Sequence, residues 1–393
     1  MRIAELKQRE NFHSLFLASI EQLFKSLEPD LALCEEPQLA FQQWYYHPFY
    51  GVFVQREFSK TGRRFLYDSM RHSPARWRCV AQRIAAQTLH YAPTFEALLR
   101  PAFALNGAIK SAKHAMILPG NQRIRFFDFE QMYCRVHRKV GFSENSLKNE
   151  IRIRQRLVGR YASILPITSL SPDLAYFDEP LIDFQPLNRY HQKLRTHDLI
   201  QRIANELFAI AKNDEQIVQA KQYSENILAK LWIKGDNLDK RWPGLSSQKL
   251  RLFWEACAKL ASYQGEVHLA LTHGDFQEGN ILLAKNHHDF AIIDWEDAKI
   301  RFALYDALCY VLAARRPKTL CARAKQYLKS SDDAAFLGPW KALYTNKKSA
   351  LALFLLEDWD WLLDASLREG IKYCPLGLRM RLDLVSGLHD LIS

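Results

Sequence analysis

The sequence predicts an α+β fold, with short strands in a central stretch and helices before and after it. Apolar runs of strand length, separated by turn residues, lie between about residues 104 and 185. Apolar residues recur at helical spacing in residues 1–30, 197–212 and 246–265. The same spacing in Leu147–Val158 predicts one helix inside the strand-rich stretch.

The length and composition predict a soluble protein of two or three domains. The 393 residues are enough for each domain to have its own core. No apolar run approaches the ~18–20 residues of a membrane span, and residues 1–10 lack the apolar core of a signal peptide. The 7 cysteines are scattered and form no C-x-x-C pair. These observations predict a cytoplasmic protein with reduced thiols, no transmembrane segment and no zinc site.

The net charge of +11 is concentrated in residues 51–160. Such a basic region is typical of a solvated surface near a nucleotide site, and also of a surface that binds an anionic acceptor, a membrane or RNA. The sequence contains no nucleic-acid-binding signature, which argues against a nucleic-acid partner. Nothing in the sequence indicates an oligomeric state.

Two short apolar runs, Ile281–Leu283 and Ala291–Ile293, flank a turn-like segment and predict a hairpin. Asn280 precedes the first run and Asp294 follows the second, so the hairpin presents both side chains together. Asp275 lies on the loop just before Asn280. Phosphoryl transfer requires such a set, in which one carboxylate receives a hydroxyl proton and an amide oxygen and a second carboxylate hold a metal ion.

The motif His273-Gly-Asp-x-x-x-x-Asn280, followed by Ile293-Asp-Trp-Glu296, resembles the aminoglycoside phosphotransferase and choline kinase family, the small-molecule relatives of protein kinases. The resemblance implies a two-lobed protein-kinase-like fold with a small antiparallel-sheet N-lobe and a mainly helical C-lobe. We therefore expect a helical N-terminal extension in residues 1–100, the N-lobe in 101–184, and the C-lobe with the catalytic loop in 185–393.

The resemblance also implies ATP and Mg²⁺ as cofactors and assigns roles to the motif residues. Asp275 would orient the acceptor hydroxyl and take its proton, while Asn280 and Asp294 would hold Mg²⁺. Asp306 matches a family aspartate that steadies the catalytic loop through hydrogen bonds to loop amides. His273 matches a residue that packs this loop.

Arg135 and Glu150 are the expected phosphate-side ion pair. In this family, one strand carries a cation that binds the α- and β-phosphates of the nucleotide. The run Cys134-Arg135-Val136 is similar to that strand. Lys139 would lie on the same face of the strand as Arg135 and is the alternative cation. We favour Arg135, because Lys139 is close to Gly141 at the expected end of the strand. Glu150 lies on the apolar face of the predicted helix, where the family has a glutamate that pairs with the cation. A surface role for Glu150 is the other interpretation.

Two further nucleotide contacts are implied by position alone. Backbone groups of Asp183, Phe184 and Gln185 would meet the adenine edge, because these residues end the second of two expected strands, Ile164–Ile167 and Leu181–Gln185. A phosphate-covering turn is expected at Ala104–Ser111, where Gly107 is the single glycine and an ordinary hairpin turn is the alternative. Gly120-Asn121 is another turn signal.

We therefore expect an ATP- and Mg²⁺-dependent phosphotransferase that moves the γ-phosphoryl group to a hydroxyl of a small molecule. The acceptor stays open among an anionic sugar or envelope glycan, an aminoglycoside and an amino-alcohol. A protein kinase is an alternative, against which the His-Gly-Asp and Asp-Trp-Glu variants argue. Another alternative is a nucleotide-binding module of the same fold without catalytic activity. The residues at all the motif positions are competent for catalysis, which argues against it.

Two groups of residues match acceptors of opposite charge. A cationic acceptor suits one helical face, which carries Glu357, Asp360, Trp361 and Asp364. The alternative is that this face is a solvated edge that binds no ligand. An anionic acceptor suits the basic residues Arg76, Arg78 and Arg83.

Overall fold

A computed structural model describes residues 12–34, 41–69, 80, 84, 87–88, 90–120, 122–190, 196–242, 246–315, 317–330, 335–344, 346–368 and 385 of the chain. The chain forms two compact units, of which the first is Met1–His191 with Leu282–Ile293 and the second is Gln192–Ile281 with Asp294–Ser393. Within the described ranges, every helix is too short or too polar to cross a membrane. Arg76, Arg78 and Arg83, proposed for an anionic acceptor, lie outside these ranges.

The first unit contains an antiparallel eight-stranded sheet. Its strands are β1 (Gln42–His47), β2 (Val52–Val54), β3 (Arg100–Leu105), β4 (Ala115–Pro119), β5 (Arg123–Asp128), β6 (Tyr133–Arg138), β7 (Ser169–Leu170) and β8 (Tyr176–Pro180). The strand order is β3-β1-β2-β4-β5-β6-β8-β7. Its described helices are α1 (Phe12–Leu27), α2 (Lys60–Ser69), α3 (Ala92–Ala97) and α4 (Asn145–Leu157).

Two helices cover opposite faces of this sheet. Phe24 of α1 shares a buried cluster with Phe126 of β5, whereas Leu147 of α4 shares one with Val136 of β6. Phe126 lies opposite Arg135 in the β5–β6 pairing, so Arg135 belongs to the face that α1 covers, here called the α1 face. Because side chains alternate along a strand, Val136 belongs to the other face, the α4 face.

The first hundred residues contribute strands as well as helices. β1 and β2 pair with each other, and β2 pairs with β4, so the extension enlarges the sheet. The prediction of a helical extension misses these strands, although the aromatic and β-branched residues of this segment favour a strand. The buried rings of Trp44 and Phe53 pack with α1.

Three of the predicted strand and turn positions are wrong, and one of them is the strand expected at Ile164–Ile167, where only Ile164 forms an isolated bridge. Strand β3 pairs with β1 rather than with β4, so the segment around Gly107 is not the turn of a hairpin. The hairpin formed by β4 and β5 has Gly120 in its turn, which confirms the turn predicted there. The strand expected at Leu181–Gln185 is displaced, because β8 already ends at Pro180. Apolar periodicity does not fix strand ends to better than a few residues.

A second sheet of the first unit contains β9 (Phe184–Pro186), β12 (Ile281–Ala284) and β13 (Phe290–Ile292), in the order β13-β12-β9. β12 and β13 are neighbours, as the hairpin prediction required. The turn between them includes His287, whose φ is +57°, and the backbone of Ala284 bonds to Asp289. Asn280 immediately precedes this hairpin, and Asp294 follows it.

The second unit is mainly helical, with one three-stranded sheet. The strands are β10 (Gln216–Gln219), β11 (Glu266–Thr272) and β14 (Lys299–Phe302), in the order β10-β11-β14. Its described helices are α5 (His197–Lys212), α6 (Ala220–Gly235), α7 (Leu238–Arg241), α8 (Ser247–Ser262), α9 (Tyr305–Val311), α10 (Pro317–Lys329) and α11 (Lys347–Arg368). Helix α11 packs on α6 and α8.

Candidate active site

Asp275 lies on the loop that follows β11, and neighbouring side chains hold both of its carboxylate oxygens. Oδ1 accepts a hydrogen bond from Nε of Arg315 at 2.5 Å. Oδ2 accepts from Nε2 of Gln277 at 2.9 Å and from Nδ2 of Asn280 at 3.1 Å. The side chain is 23% exposed. The carboxylate is therefore fixed in direction and still accessible to a small molecule.

Arg315 is a residue of this site that the sequence prediction missed. Its Nη1 donates to Asp358 at 2.8 Å, and its Nη2 donates to the carbonyl oxygen of Gly274 at 2.7 Å. The guanidinium also stacks on Trp361, 3.6 Å from the ring centroid. Burial lowers the pKa of Arg315, but neighbouring groups that include Asp275 and Asp358 outweigh burial and raise it well above its ordinary value. No local spacing pointed to Arg315, because its partners come from distant parts of the chain.

Asp306 at the start of α9 fixes the backbone of the same loop. Its carboxylate accepts the backbone N–H of His273 at 2.5 Å and that of Gly274 at 2.9 Å. Burial raises the pKa of Asp306 above its ordinary value, although these N–H groups and His273 oppose the shift. The predicted loop-steadying role of Asp306 is confirmed. The fully buried ring of His273 lies 4.7 Å from that of Trp295, which confirms its packing role.

Gly274 is required by the tight path of the loop. Its φ is +91°, and a Cβ at this position would collide with the carbonyl oxygen of Asp297 and approach Nη2 of Arg301 to 2.8 Å. Only glycine adopts this conformation without strain or a clash. The glycine of the His-Gly-Asp motif therefore has a backbone function.

The donor chemistry of Asn280 and Asp294 fits a magnesium ion. Nδ2 of Asn280 donates to the carbonyl oxygen and to Oδ2 of Asp275, so Oδ1 is the atom left to coordinate a cation. Asp294 has a φ of +72°, a conformation that is uncommon outside glycine and that clusters at functional sites. The described residues contain no group of three or more His, Cys, Asp or Glu arranged for a metal. Magnesium requires only one or two protein carboxylates beside phosphate and water.

The expected ion pair between Arg135 and Glu150 is not the one that forms. Glu150 of α4 instead pairs with Nη1 of Arg123, the first residue of β5, and approaches Nη1 of Arg154 at 3.4 Å. Burial raises the pKa of Glu150, but the charges of Arg123 and Arg154 outweigh burial and lower it below its ordinary value. The prediction that Glu150 faces inward is correct, but its partner on the sheet is one strand away from the predicted one.

Arg135 is instead part of the α1 face. Its Nε and Nη2 donate to the two carboxylate oxygens of Asp178 at 2.7 and 2.8 Å, and its Nη1 donates to the carbonyl oxygen of Ser26 at 2.5 Å. It also stacks on Tyr176 at 4.0 Å. The physical reason is strand alternation, which directs Arg135 away from α4 and towards α1. Lys139, the alternative cation, is fully buried, and its Nζ lies 3.5 Å from the carbonyl oxygen of Gly120.

The segment expected to bind the base has a defined backbone. Phe184 and Gln185 belong to β9 and pair with β12, while the carboxylate of Asp183 pairs with Lys285. A cavity of about 300 Å³ lies beside Leu181–Asp183, and its wall includes Phe65 from α2. The N-terminal extension and the expected hinge segment therefore line one cavity.

The acidic residues proposed for a cationic acceptor are already paired. Glu357 accepts from the backbone N–H of Phe302 at 2.9 Å and from the hydroxyl of Tyr223. Asp360 and Asp364 bind Lys234 at 2.5 and 2.8 Å. These acids join α11 to neighbouring elements, so the helical face is not a vacant cation site, although Asp364 at its end is 41% exposed.

Comparison with known proteins supports the motif assignment. The profile of the phosphotransferase enzyme family APH matches residues 131–340, slightly more than half of the 393 residues. No curated protein matches the sequence significantly. Similar solved structures include an ethanolamine kinase from Plasmodium vivax, with 12% identity over 84% of this chain and 95% of that chain and a TM-score of 0.47.

Two others are the choline kinase LicA from Streptococcus pneumoniae and the aminoglycoside phosphotransferase APH(2")-IIa in a ternary complex with streptomycin and ATP. The first has 13% identity over 72% of this chain and 92% of that chain, with a TM-score of 0.46. The second has 16% identity over 69% and 90%, with a TM-score of 0.44. Because the family match covers more than half of the chain, this chain belongs to the APH phosphotransferase enzyme family.

Proposed function

We propose that this phosphotransferase moves the γ-phosphoryl group of ATP to a hydroxyl group of a small molecule, with Mg²⁺ as cofactor. The observation that carries the proposal is the carboxylate of Asp275, which is held through both oxygens and is 23% exposed. A carboxylate fixed in this way orients an acceptor hydroxyl and takes its proton as the phosphorus–oxygen bond forms.

Asn280 and Asp294 are the proposed protein ligands of Mg²⁺. When bound, the ion neutralises charge on the nucleotide phosphates. Asn280 contributes its amide oxygen, because its amide nitrogen donates to Asp275. The same hydrogen bonds tie the position of this ligand to the position of the base.

The backbone of Asp183, Phe184 and Gln185 is proposed to bind the adenine edge. β9 is a terminal strand of its sheet, so only one side of its backbone pairs with β12. The opposite side of a terminal strand presents backbone donors and acceptors to a ligand. This contact is independent of side-chain identity at these positions.

A coupled assay of ADP release tests the proposal. The purified protein is screened against hydroxyl-bearing metabolites that include phosphorylated sugars, glycans, amino-alcohols and aminoglycosides, with Asp275→Asn as the inactive control. We expect at least one acceptor to stimulate ADP release by the wild type only. Stimulation of equal size in both proteins would contradict the role of Asp275.

Calorimetry of ATP binding tests the cofactor. We expect wild-type binding to require Mg²⁺, and Asp294→Ala to lose this requirement together with activity, since the carboxylate supplies the charge at the metal. Asp289→Asn, an exposed change in the adjacent hairpin turn, is the matched control. Equal ATP affinity with and without Mg²⁺ in the wild type would exclude the assignment.

A further inference from the structure

We infer that Arg123 of β5 is the cation that binds the nucleotide phosphates, with Glu150 as the carboxylate that holds it in place. The inference rests on the proposed ATP-dependent function and assigns its phosphate-binding residue. It moves that residue from β6, where the sequence pattern located it, to the preceding strand. Arg123 also lies outside residues 131–340, which the family profile matches.

The first argument is the identity of the helix partner. Protein-kinase-like phosphoryl transfer requires an ion pair between a strand cation and a glutamate on the adjacent helix. On α4 that glutamate is Glu150, and the strand cation that contacts it is Arg123. Their side chains are 6% and 3% exposed, so loss of either would leave a buried charge without its main partner. The two residues therefore act as one unit.

The second argument is that Arg135 already has a complete set of partners on the α1 face. It forms a two-bond fork with Asp178 and a further bond to Ser26 of α1. A phosphate contact by Arg135 would require these bonds to break. Charge-assisted forks of this type are among the strongest hydrogen bonds in proteins. The fork between Arg135 and Asp178 therefore joins β6 to β8, and the bond from Arg135 to Ser26 attaches α1 to the sheet.

The third argument is the position of Arg123 beside a glycine turn. The backbone N–H of Gly120 donates to the carbonyl oxygen of Arg123 at 2.8 Å, and a Cβ on Gly120 would lie 3.0 Å from that oxygen. On the other side, Ser146 of α4 donates to Gln122 at 3.1 Å. Direct hydrogen bonds thus link the turn to Arg123 and the adjoining Gln122 to the start of α4, and glycine gives the turn a close backbone approach that a side chain would hinder.

The fourth argument is the charge on the α4 face. Arg138 lies opposite Arg123 in the pairing of β5 with β6, and Arg125 has the same orientation two residues further along β5. Arg154 binds Glu179 at 2.7 Å, so the second carboxylate of this face is also paired. Arg123, Arg125, Arg138 and Arg154 give this face four guanidinium groups, against the two carboxylates Glu150 and Glu179. Guanidinium groups suit phosphate because their donors form a planar fork.

Two matched substitutions test the inference. Arg123→Met and Arg135→Met each remove a buried guanidinium from the same sheet and leave one buried carboxylate. We expect Arg123→Met to weaken Mg²⁺-ATP binding by about 10- to 100-fold, which is the effect of losing one hydrogen bond to a charged group. We expect Arg135→Met to leave the dissociation constant of Mg²⁺-ATP unchanged while lowering the melting temperature. Arg123→Lys retains the charge and should restore part of the affinity.

The outcomes separate this inference from the proposed function. If the wild type fails to bind Mg²⁺-ATP, the proposed function is wrong and the inference with it. If the wild type binds and Arg135→Met or Lys139→Met weakens binding more than Arg123→Met, only the inference is wrong. Should Arg123→Met fail to fold, the double variant Arg123→Met/Glu150→Gln removes the unpaired charge, and wild-type affinity in that protein would overturn the assignment.

Discussion

The loop around Asp275 in the second unit and the large sheet of the first unit both pair a buried arginine with a carboxylate, but only the loop leaves one partner accessible. In the loop, Arg315 is 9% exposed and holds Asp275, which is 23% exposed. In the sheet, Glu150 is 3% exposed and holds Arg123, which is 6% exposed. The loop therefore leaves its carboxylate partly accessible, whereas both partners of the sheet pair are buried.

In the loop, Arg315 fixes the position of Asp275, which stays partly accessible to a ligand. In the sheet, Glu150 fixes the position of the Arg123 guanidinium that we infer binds the phosphates. Under these proposed roles, the loop acts through a carboxylate and the sheet through a cation. Substitutions in the loop should then lower kcat, whereas substitutions of the pair on the α4 face should raise the dissociation constant of ATP.

The largest expected effect is that of Asp275→Asn. Loss of a positioned base should lower kcat by ~10²–10⁴-fold. The dissociation constant of ATP should stay close to the wild-type value, because the substitution keeps the shape of the side chain. Its amide oxygen can still accept either from Arg315 or from Gln277 and Asn280, whereas its amide nitrogen cannot accept from the donors on the other side. Steady-state kinetics and calorimetry of ATP binding measure the two quantities. A large change in ATP affinity with kcat preserved would reverse the division between the two regions.

The next effect is that of Arg315→Ala. We expect kcat to fall by about 10- to 100-fold, because a hydrogen bond between charged groups contributes about 1.5–3 kcal/mol. The KM for ATP should not change. Arg251→Ala removes an exposed pair with Asp236 in the same unit and is the matched control, expected to behave as the wild type.

Guanidinium rescue distinguishes positioning by Arg315 from general damage. The substitution leaves a space beside Trp361, Asp275 and Asp358 that guanidinium ions should fill, with recovery of kcat. Asp358 is 1% exposed in the ion pair, so the double variant with Asp358→Asn serves if the single variant is unstable. Loss of activity without rescue, accompanied by equal loss of ATP affinity, would show that Arg315 is only structural.

The sequence predicted the loop well because its key residues are close together in the chain. Asn280 contacts Asp275 five positions away, a spacing that one short loop determines. Asp306 was identified by its match to a family position, and its hydrogen bonds to the loop confirm the assignment. Arg315 was missed because its contacts to Asp275 and Asp358 cross 40 and 43 positions and follow no local pattern.

The sheet was predicted less well because pairing and face depend on register. The helical pattern correctly predicted that Glu150 faces inward. The identity of its partner, however, depends on which strand residue faces α4. A shift of one residue along a strand moves a side chain to the opposite face. Arg135 satisfies the composition pattern of the family strand and still points to α1. The strands of the extension were missed because the helical spacing stated for this segment lies in residues 1–30, before β1 and β2.

The smallest expected effects are those of the acids on α11, which resemble an acceptor site only in sequence. Asp360→Asn removes one charge from the pairs with Lys234 and Lys299, whose Nζ atoms lie 2.5 and 3.6 Å away. Asp364→Asn removes a charge that is 41% exposed. Because such an exposed pair contributes ~0–1 kcal/mol, Asp364→Asn should change the free energy of unfolding little. Neither change should alter the KM for the acceptor, since both acids already bind lysine.

Kinetics with the acceptor found by the ADP-release screen, together with urea unfolding, measure these effects. The comparison of the two variants is informative because Asp360 is 9% exposed and Asp364 is 41% exposed, so only Asp360→Asn should cost measurable stability. Lys234→Met is the control that leaves both acids without this lysine, and it should be the least stable of the three. If Asp360→Asn instead raises the acceptor KM while stability and the KM for ATP are unchanged, Lys234 occupies a site that a cationic acceptor displaces, and α11 belongs to the acceptor site.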